Sequence, residues 1–440
     1  MIFKKILRDK SFLIYGLGLT GESVLKFLKK SKARDIFLWD DKKKLRNKFK
    51  VQGNENLLKK KIIQSDYIVL SPGISLLKCK HRKLLNKNKN KIITDIDLFF
   101  LTNKVFKSVV VTGTNGKSTT CSIIQKILSY SGLKTVAVGN IGKPILNYNL
   151  GKKRNVIMIV EMSSFQLEYS KHVRPNHAIL INISKDHLDW HGSIKNYINA
   201  KLKIFSLQNN NDFAYLPQDK NIISFFKKNK FQSSIFPIKN HVKRFIKKNI
   251  KNSYLKSNSN IENLSFVYNL KKNFGISDRK FFLALKKFKG LPHRQEMFLR
   301  KKNIYFINDS KATSFEAAKD CLTNYKNIIW IVGGLKKQGD KFYLNHIKKN
   351  VAKAFIIGKD RIFFKKELNK KINFREAINL QRSVKYIFTE IRLMNLRNKN
   401  KDKIFVILSP ASASYDQFRS FEVRGNKFKR LVKKYAKKYF

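Results

Sequence analysis

The stretch Gly113-Thr114-Asn115-Gly116-Lys117-Ser118-Thr119-Thr120 directly follows the apolar run Val109-Val110-Val111, one residue on. The order reads as a buried strand, a glycine turn and the start of a helix, which is the setting a phosphate loop needs. Glycines let backbone N–H groups approach phosphate oxygens, and a helix N-terminus favours negative charge. Lys117 is placed to reach the β- and γ-phosphates of a nucleotide, and the Ser118 hydroxyl to ligate Mg²⁺. Val111 stands where the common phosphate loop has its first glycine, so this is a shortened variant. A solvated turn with a chance Gly-Lys-Ser is the weaker reading, and ATP use is expected.

Toward the N-terminus, the strand Phe12-Leu13-Ile14-Tyr15 enters Gly16-Leu17-Gly18-Leu19-Thr20-Gly21, and a helix runs on to about Lys30. A second strand, Ile36 to Trp39, ends at Asp40. Taken alone, this dinucleotide fingerprint with its acidic residue points to an NAD enzyme. A third strand, Tyr67 to Leu70, ends in Ser71-Pro72-Gly73-Ile74. Toward the C-terminus, strands Val156 to Val160 and Ala178 to Ile181 lead to Glu161 and to Asn182, Asp186 and His187. The segment 209–260 is polar and lysine-rich and shows only short strands. Helices from about Asn260 to Phe274 and Asp278 to Phe288 precede a boundary at Gly290-Leu291-Pro292-His293-Arg294.

Beyond it, strands Tyr305 to Ile307, Ile328 to Val332, Ala354 to Ile357 and Ile404 to Leu408 end in turns. These turns carry Asp309-Ser310-Lys311, Gly333-Gly334, Gly358-Lys359 and Ser409-Pro410, and the cluster 397–403 reads as a solvated loop. Strands alternating with helices make parallel sheets. The expected fold is α/β in three domains: Rossmann-like over 1–96, a central phosphate-loop sheet over 97–291, and Rossmann-like again over 292–440.

The 440 residues are too many for one core. The net charge of +65, from 94 basic and 29 acidic residues, invites a nucleic-acid reading. The lysines, however, run through nearly every segment. They accompany an excess of Asn, Ile, Phe and Tyr, with only 19 Gly and 7 Pro. Those enriched residues share A/T-rich codons, so the basicity reads mainly as codon drift. Its positive field still draws in anionic substrates. Cys79, Cys121 and Cys321 stand alone, which suits a reducing cytoplasm. Met1 to Thr20 has lysines before an apolar stretch but no small-residue cleavage site, and no run reaches the length of a membrane span. A soluble cytoplasmic protein is expected.

Glu161, at a strand end beyond the phosphate loop, is either a Mg²⁺ ligand or a surface glutamate; its position alone leaves both open. His187 and His191, four apart, suggest zinc. The first histidine has no neighbouring Glu, which argues against a zinc protease.

Several motifs recur together, in the same order, in the Mur ligases of peptidoglycan synthesis, and the chain resembles that family over nearly its whole length. They are Thr112 to Thr120, Glu161 to Glu168, Asp186 to Asp189, Ala200 to Ile204, Leu291 to Arg294, Asn308 to Thr313 and Leu408 to Ser414. No Asp-Asn-Pro-Arg motif of the diaminopimelate-adding type occurs. The resemblance implies that the enzyme joins D-glutamate to UDP-N-acetylmuramoyl-L-alanine through an acyl phosphate formed with ATP. It further implies small-molecule substrates only, a monomer, no nucleic-acid partner and no membrane insertion.

By that resemblance the first domain binds UDP, with Leu19, Thr20, Asp40 and Gly73 as contacts, joined by Asn140 of Gly139-Asn140-Ile141-Gly142. Gly113, Thr114, Asn115, Gly116, Lys117, Ser118 and Thr119 hold ATP, with Asn260 and Asn263 on the adenine side, although Ser259 replaces the histidine usual there. Arg294, Asp309 and Lys311 join the nucleotide from the third domain. Ser118 and Glu161 hold one Mg²⁺, and His187 with a carbamate on Lys201 holds a second; Lys117, His187 and Lys201 are the implied catalytic residues. Thr313, Lys337, Ser414 and Phe421 take D-glutamate, with Tyr415 in place of an expected leucine and a loosely fitting loop from Gly333 to Asp340. An NAD-dependent oxidoreductase and a basic nucleic-acid ATPase are the competing classes. The first leaves the phosphate loop and Asp309-Ser310-Lys311 unexplained.

Overall fold

The computed structural model describes residues 7–103, 106–148, 150, 155–337, 339–343, 345–397 and 402–440. The first six residues of the signal-like N-terminus, position 338 of the loop 333–340 and positions 398–401 of the cluster 397–403 lie outside them. The chain divides into two compact units. One runs to Asn252 and takes in Asn260–Phe288, and the other is Ser253–Ser259 with Lys289–Phe440. Among the described residues no helix is long and apolar enough to cross a membrane, and the three cysteines are buried and form no disulfide.

The first unit holds two parallel sheets. Strands β1 (Ser11–Tyr15), β2 (Asp35–Trp39), β3 (Tyr67–Leu70) and β4 (Ile92–Ile93) lie in the order β2-β1-β3-β4. Every residue of β1 is buried, as a central strand covered on both faces requires. The capping box at Thr94 and Asp97 then opens the helix Asp95–Thr102 toward the next sheet. Asp97 also accepts the N–H groups of Lys171 (2.9 Å) and His172 (2.8 Å), which ties that helix to a distant loop.

The second sheet is built from β5 (Lys107–Thr112), β6 (Thr135–Gly139), β7 (Ile157–Glu161), β8 (His177–Leu180), β9 (Phe213–Leu216) and β10 (Ser234–Pro237). Their order is β10-β9-β8-β5-β7-β6. The chain steps from β5 out to β6, back to β7 and then across to β8. The carboxyl end of β5 is therefore the point where strand order reverses and ligands bind in such sheets. The polar stretch 209–260 is more regular than its composition suggests. Helices Lys220–Lys228 and Asn240–Asn249 each bury one pair spaced by four, Ile222 with Phe226 and Val242 with Ile246.

The second unit carries β11 (Glu296–Lys301), β12 (Ile304–Asn308), β13 (Ile328–Gly333), β14 (Val351–Ile357), β15 (Phe374–Ile378) and β16 (Ile404–Leu408). Their order is β11-β12-β16-β13-β14-β15. All pairs are parallel except β11 with β12, so the sheet is mixed where an all-parallel one was expected. The sequence reading missed both edges. Each edge strand is largely exposed and mixes charged with apolar residues, which hides the apolar run of a buried strand.

Candidate active site

The first helical residue after β5 is Lys117, and Gly116 takes the position before it with φ +84. A Cβ there would stand 2.4 Å from Asn263 Oδ1, so both the backbone conformation and the close approach require glycine. Gly116→Ala is accordingly expected to weaken nucleotide binding by about fivefold to a hundredfold, read as a raised KM for ATP, since strain of about 1–3 kcal/mol falls on the loop itself. Asn182 closes the other side of the loop. Its side-chain oxygen accepts the N–H groups of Thr114 (3.1 Å) and Asn115 (3.0 Å), and its carbonyl also accepts that of Thr114.

The Lys117 ammonium folds back over the loop and donates to the carbonyls of Gly113 and Thr114, each at 2.8 Å. Ser118 Oγ donates to Glu161 Oε2 at 2.6 Å, while Asn140 Nδ2 donates to Glu161 Oε1 at 2.8 Å. The carboxylate at the end of β7 is thus buried and oriented by two neighbours. One hard carboxylate beside one hydroxyl, next to a phosphate loop, is a donor set that fits Mg²⁺, which is commonly held by one or two carboxylates and by substrate phosphates. Asn140, implied as a substrate contact, lies on Glu161.

Lys201 comes from the helix Ile194–Leu202 and is 1% exposed. Its Nζ donates to the Gly113 carbonyl at 2.8 Å, the same oxygen that accepts from Lys117, and lies 4.7 Å from the centre of the Tyr197 ring. Burial above all, then the charge of Lys117, holds its pKa well below the ordinary lysine value, against the opposing pull of Asp186. Tyr197, one helical turn before Lys201, shares a 2.9 Å hydrogen bond with the Thr114 hydroxyl. The sequence reading passed over Tyr197, although its i, i+4 spacing from Lys201 puts both on one helix face.

His187 sits at φ +51 at the N-terminal end of the short helix Leu188–His191. Its ring packs against Phe165, with centroids 4.7 Å apart, and its Nε2 lies 3.5 Å from Asp186 Oδ2. His191 turns to a different task. Its Nε2 is 2.9 Å from Ser164 Oγ, and burial lowers its pKa to about 4, so the neutral ring is retained. Among the described residues no group of three or more His, Cys, Asp or Glu could hold a metal. The His191 Nε2 that the four-residue spacing would offer to a metal faces Ser164 Oγ instead. Asn260 and Asn263 are buried on the helix Asn258–Lys272, with Asn263 Nδ2 3.5 Å from Asn260 Oδ1. Thr119 is buried on the same helix as Lys117.

In the first sheet the glycine turn is clamped from two sides. Gly16, at φ +105, would place a Cβ 2.5 Å from that of Ser71, whose hydroxyl donates to the Gly16 carbonyl at 2.9 Å. Asp40 Oδ2 accepts the Leu17 N–H at 2.7 Å and Oδ1 that of Lys42 at 2.9 Å, so this acidic residue fastens the turn. Leu19, 82% exposed, and Thr20, half-buried, open the helix Leu19–Lys30 after β1, and Gly73 is exposed in the turn after β3.

In the second unit, Asp309 is buried beyond β12. It accepts from Ser409 Oγ (2.8 Å) and the Gln295 N–H (3.1 Å), and burial pushes its pKa up to about 7. The neighbouring Arg294 opposes that rise. The Lys311 ammonium stands 4.0 Å from the centre of the Phe421 ring. Thr313 and Lys337 are half-buried and Ser414 is buried, each in a turn past a strand of this sheet.

Comparison with known proteins gives a consistent result. The family model for the Mur ligase middle domain matches residues 111–273, and that for the Mur ligase MurD-like N-terminal domain matches residues 10–93. A Rickettsia felis protein named UDP-N-acetylmuramoylalanine--D-glutamate ligase is 32% identical, over 96% of this chain and 97% of its own length. A Francisella philomiragia protein of the same name is 33% identical, over 96% of each chain. The Thermotoga maritima MurF ligase in complex with ADP has a similar fold, at a TM-score of 0.60 and 16% identity over 99% of this chain and 97% of that one. The Thermotoga maritima UDP-N-acetylmuramate-alanine ligase MurC follows at 0.55 and 15%, over 98% and 99%.

Proposed function

The chain belongs to the Mur ligases, and from that premise we propose that it is the ATP-dependent ligase that joins D-glutamate to UDP-N-acetylmuramoyl-L-alanine in peptidoglycan precursor synthesis. The observation that carries the reading is the arrangement around Gly113. Two lysines meet its carbonyl, beside a glutamate held by Ser118 and Asn140. The choice of amino acid is supported by the names of relatives that match the chain from end to end.

A carboxylate is a poor acyl donor because its leaving group would be oxide. Transfer of the γ-phosphoryl group of ATP to the substrate carboxylate gives an acyl phosphate and ADP. The amine of D-glutamate then attacks the acyl carbon, loses a proton, and the tetrahedral oxyanion collapses to the amide with release of phosphate. Both partners of the first step are anions, so the work of this chain is to offset charge and hold them in line. The loop N–H groups and the Lys117 ammonium do so at the phosphates. Ser118 and Glu161 would hold Mg²⁺, with His187 and a modified Lys201 at a second ion, which when bound supplies positive charge at the transferred group. Lys201 suits that role because it is buried with a depressed pKa. A neutral amine adds to CO₂, loses a proton and becomes an anionic oxygen donor.

The D-glutamate pocket is assigned to Thr313, Lys337 and Ser414, whose turns lie where such sheets bind ligands, and to Phe421 at the start of the helix Phe421–Tyr439. A dicarboxylate needs a cation and hydroxyl donors there. The test is phosphate release with ATP, UDP-N-acetylmuramoyl-L-alanine and a panel of amino acids. D-glutamate is expected to be turned over and L-glutamate to be a very poor substrate, since inversion takes one charged contact out of register at about 1.5–3 kcal/mol. Ser414→Ala is expected to raise KM for D-glutamate more than KM for ATP. Preference for diaminopimelate, L-lysine or L-alanine would keep the family chemistry and overturn the substrate.

A further inference from the structure

Arg424, on the helix Phe421–Tyr439, is 1% exposed, and every hydrogen bond it makes ends on a neutral oxygen. Its Nε donates to Ser310 Oγ (3.0 Å) and its Nη2 to the carbonyls of Ser310 (2.8 Å) and Ser412 (3.0 Å). Its Nη1 reaches Ser412 Oγ and the Ala413 carbonyl, both at 3.4 Å. One planar fork therefore spans two turns, the one after β12 and the one after β16.

A third turn is tied in through the second. Ser412 Oγ donates to the Gly333 carbonyl at 2.6 Å, and Leu335 and Ala413 exchange two backbone hydrogen bonds at 3.1 Å. Ser310 Oγ in turn donates to the Phe421 carbonyl at 2.9 Å. The segments so connected carry Lys311 and Thr313, Ser414, Lys337 and Phe421. These are the residues assigned above to D-glutamate, with Lys311 beside them.

The charge balance points the same way. Burying a cation is costly unless an anion accompanies it. No carboxylate among the described residues lies within ion-pair distance of Arg424. Asp416, the acid whose field it feels, accepts the Lys359 N–H at 2.9 Å. Desolvation lowers the pKa of Arg424 to about 10, so it remains charged at neutral pH. The uncompensated charge sits beneath turns that open toward the carboxyl ends of the strands, where an anionic ligand would answer it.

We propose that Arg424 is a positioning residue for the amino-acid substrate. Its guanidinium locks the turns after β12, β13 and β16 in one register and lends them the positive charge that a dicarboxylate requires. The inference rests on the proposed D-glutamate reading.

The experiment measures KM for D-glutamate, ATP and the UDP substrate in wild type, Arg424→Gln and Arg424→Lys. Arg424→Gln, which loses charge and fork together, is expected to raise KM for D-glutamate by about tenfold or more while the other two stay within about twofold. Arg424→Lys keeps the charge but cannot span both turns, so it is expected to fall between. An unchanged KM for D-glutamate, or one that rises in step with the other two, overturns the proposal. Should neither variant fold, Ser412→Ala decides. It removes one acceptor of the fork, and a KM rise confined to D-glutamate supports the proposal, whereas none overturns it. A wild type inactive on D-glutamate overturns the functional reading and this inference together.

Discussion

Lys117→Ala is expected to lose ligation on the order of 10³-fold or more while the protein keeps its fold. The side chain donates to two carbonyls of its own loop, 2.8 Å each, and is itself only half-buried. Its removal takes a cation away from the point where two anions must approach. One preorganised charge or donor aimed at such a transition state is commonly worth about 10²–10⁵ in rate. The check is phosphate release with saturating substrates, alongside thermal unfolding of the same preparation. Near-normal release by the folded variant would remove the ATP assignment from this loop.

Lys201→Ala is expected to be nearly inactive, by about 10²-fold or more, and to recover part of its activity with a short carboxylic acid such as acetate or formate. The amine is buried and donates to Gly113, a bond worth about 1 kcal/mol to folding, and truncation of the buried stem adds a cavity cost. Thermal unfolding is therefore measured beside activity, and rescue by the added acid reports on the chemistry alone. Addition to CO₂ requires the neutral amine. Because the folded pKa is lowered, the neutral form is present above that pKa and is lost as pH falls through it. Activity is therefore expected to drop on the acid side, to drop further when CO₂ is removed, and to be restored by bicarbonate. Lys203, two residues on, is turned toward Glu168 at 3.2 Å and cannot take over. Full activity of Lys201→Ala, or no response to either carboxylic acid or bicarbonate, would refute the modification.

The strand, glycine turn and helix around Gly113 were legible because their signals are local. Strand, glycine turn and helix are consecutive, and each requires particular residue types within a few positions. The same holds for the turn at Gly16. Regular structure was lost where composition hid periodicity. In helices Lys220–Lys228 and Asn240–Asn249, two apolar residues four apart suffice to anchor each helix, and the lysines around them read as loop. Edge strands β11 and β15 face solvent on much of their length, so no apolar run marks them.

The sequence by itself determined the fold class, the family and the residue types proposed to meet a nucleotide, because glycine, lysine, serine and acidic residues at fixed short spacings have few alternative uses. Only the tertiary structure decided which of them touch. It set Asn140 on Glu161, 21 residues on, and Lys201 on Gly113, 88 residues back. It also drew Arg424 beneath Ser310, 114 residues away. Asn140 meets Glu161 because β6 and β7 pair in parallel, and Arg424 meets Ser310 because β12 lies beside the distant β16. Lys201, by contrast, is brought in by a helix. A lysine pointing to solvent and one buried against a loop carbonyl look the same in a chain with 94 basic residues. Burial is what separates them, since it alone lowers the cost of a neutral amine and raises the cost of a lone charge.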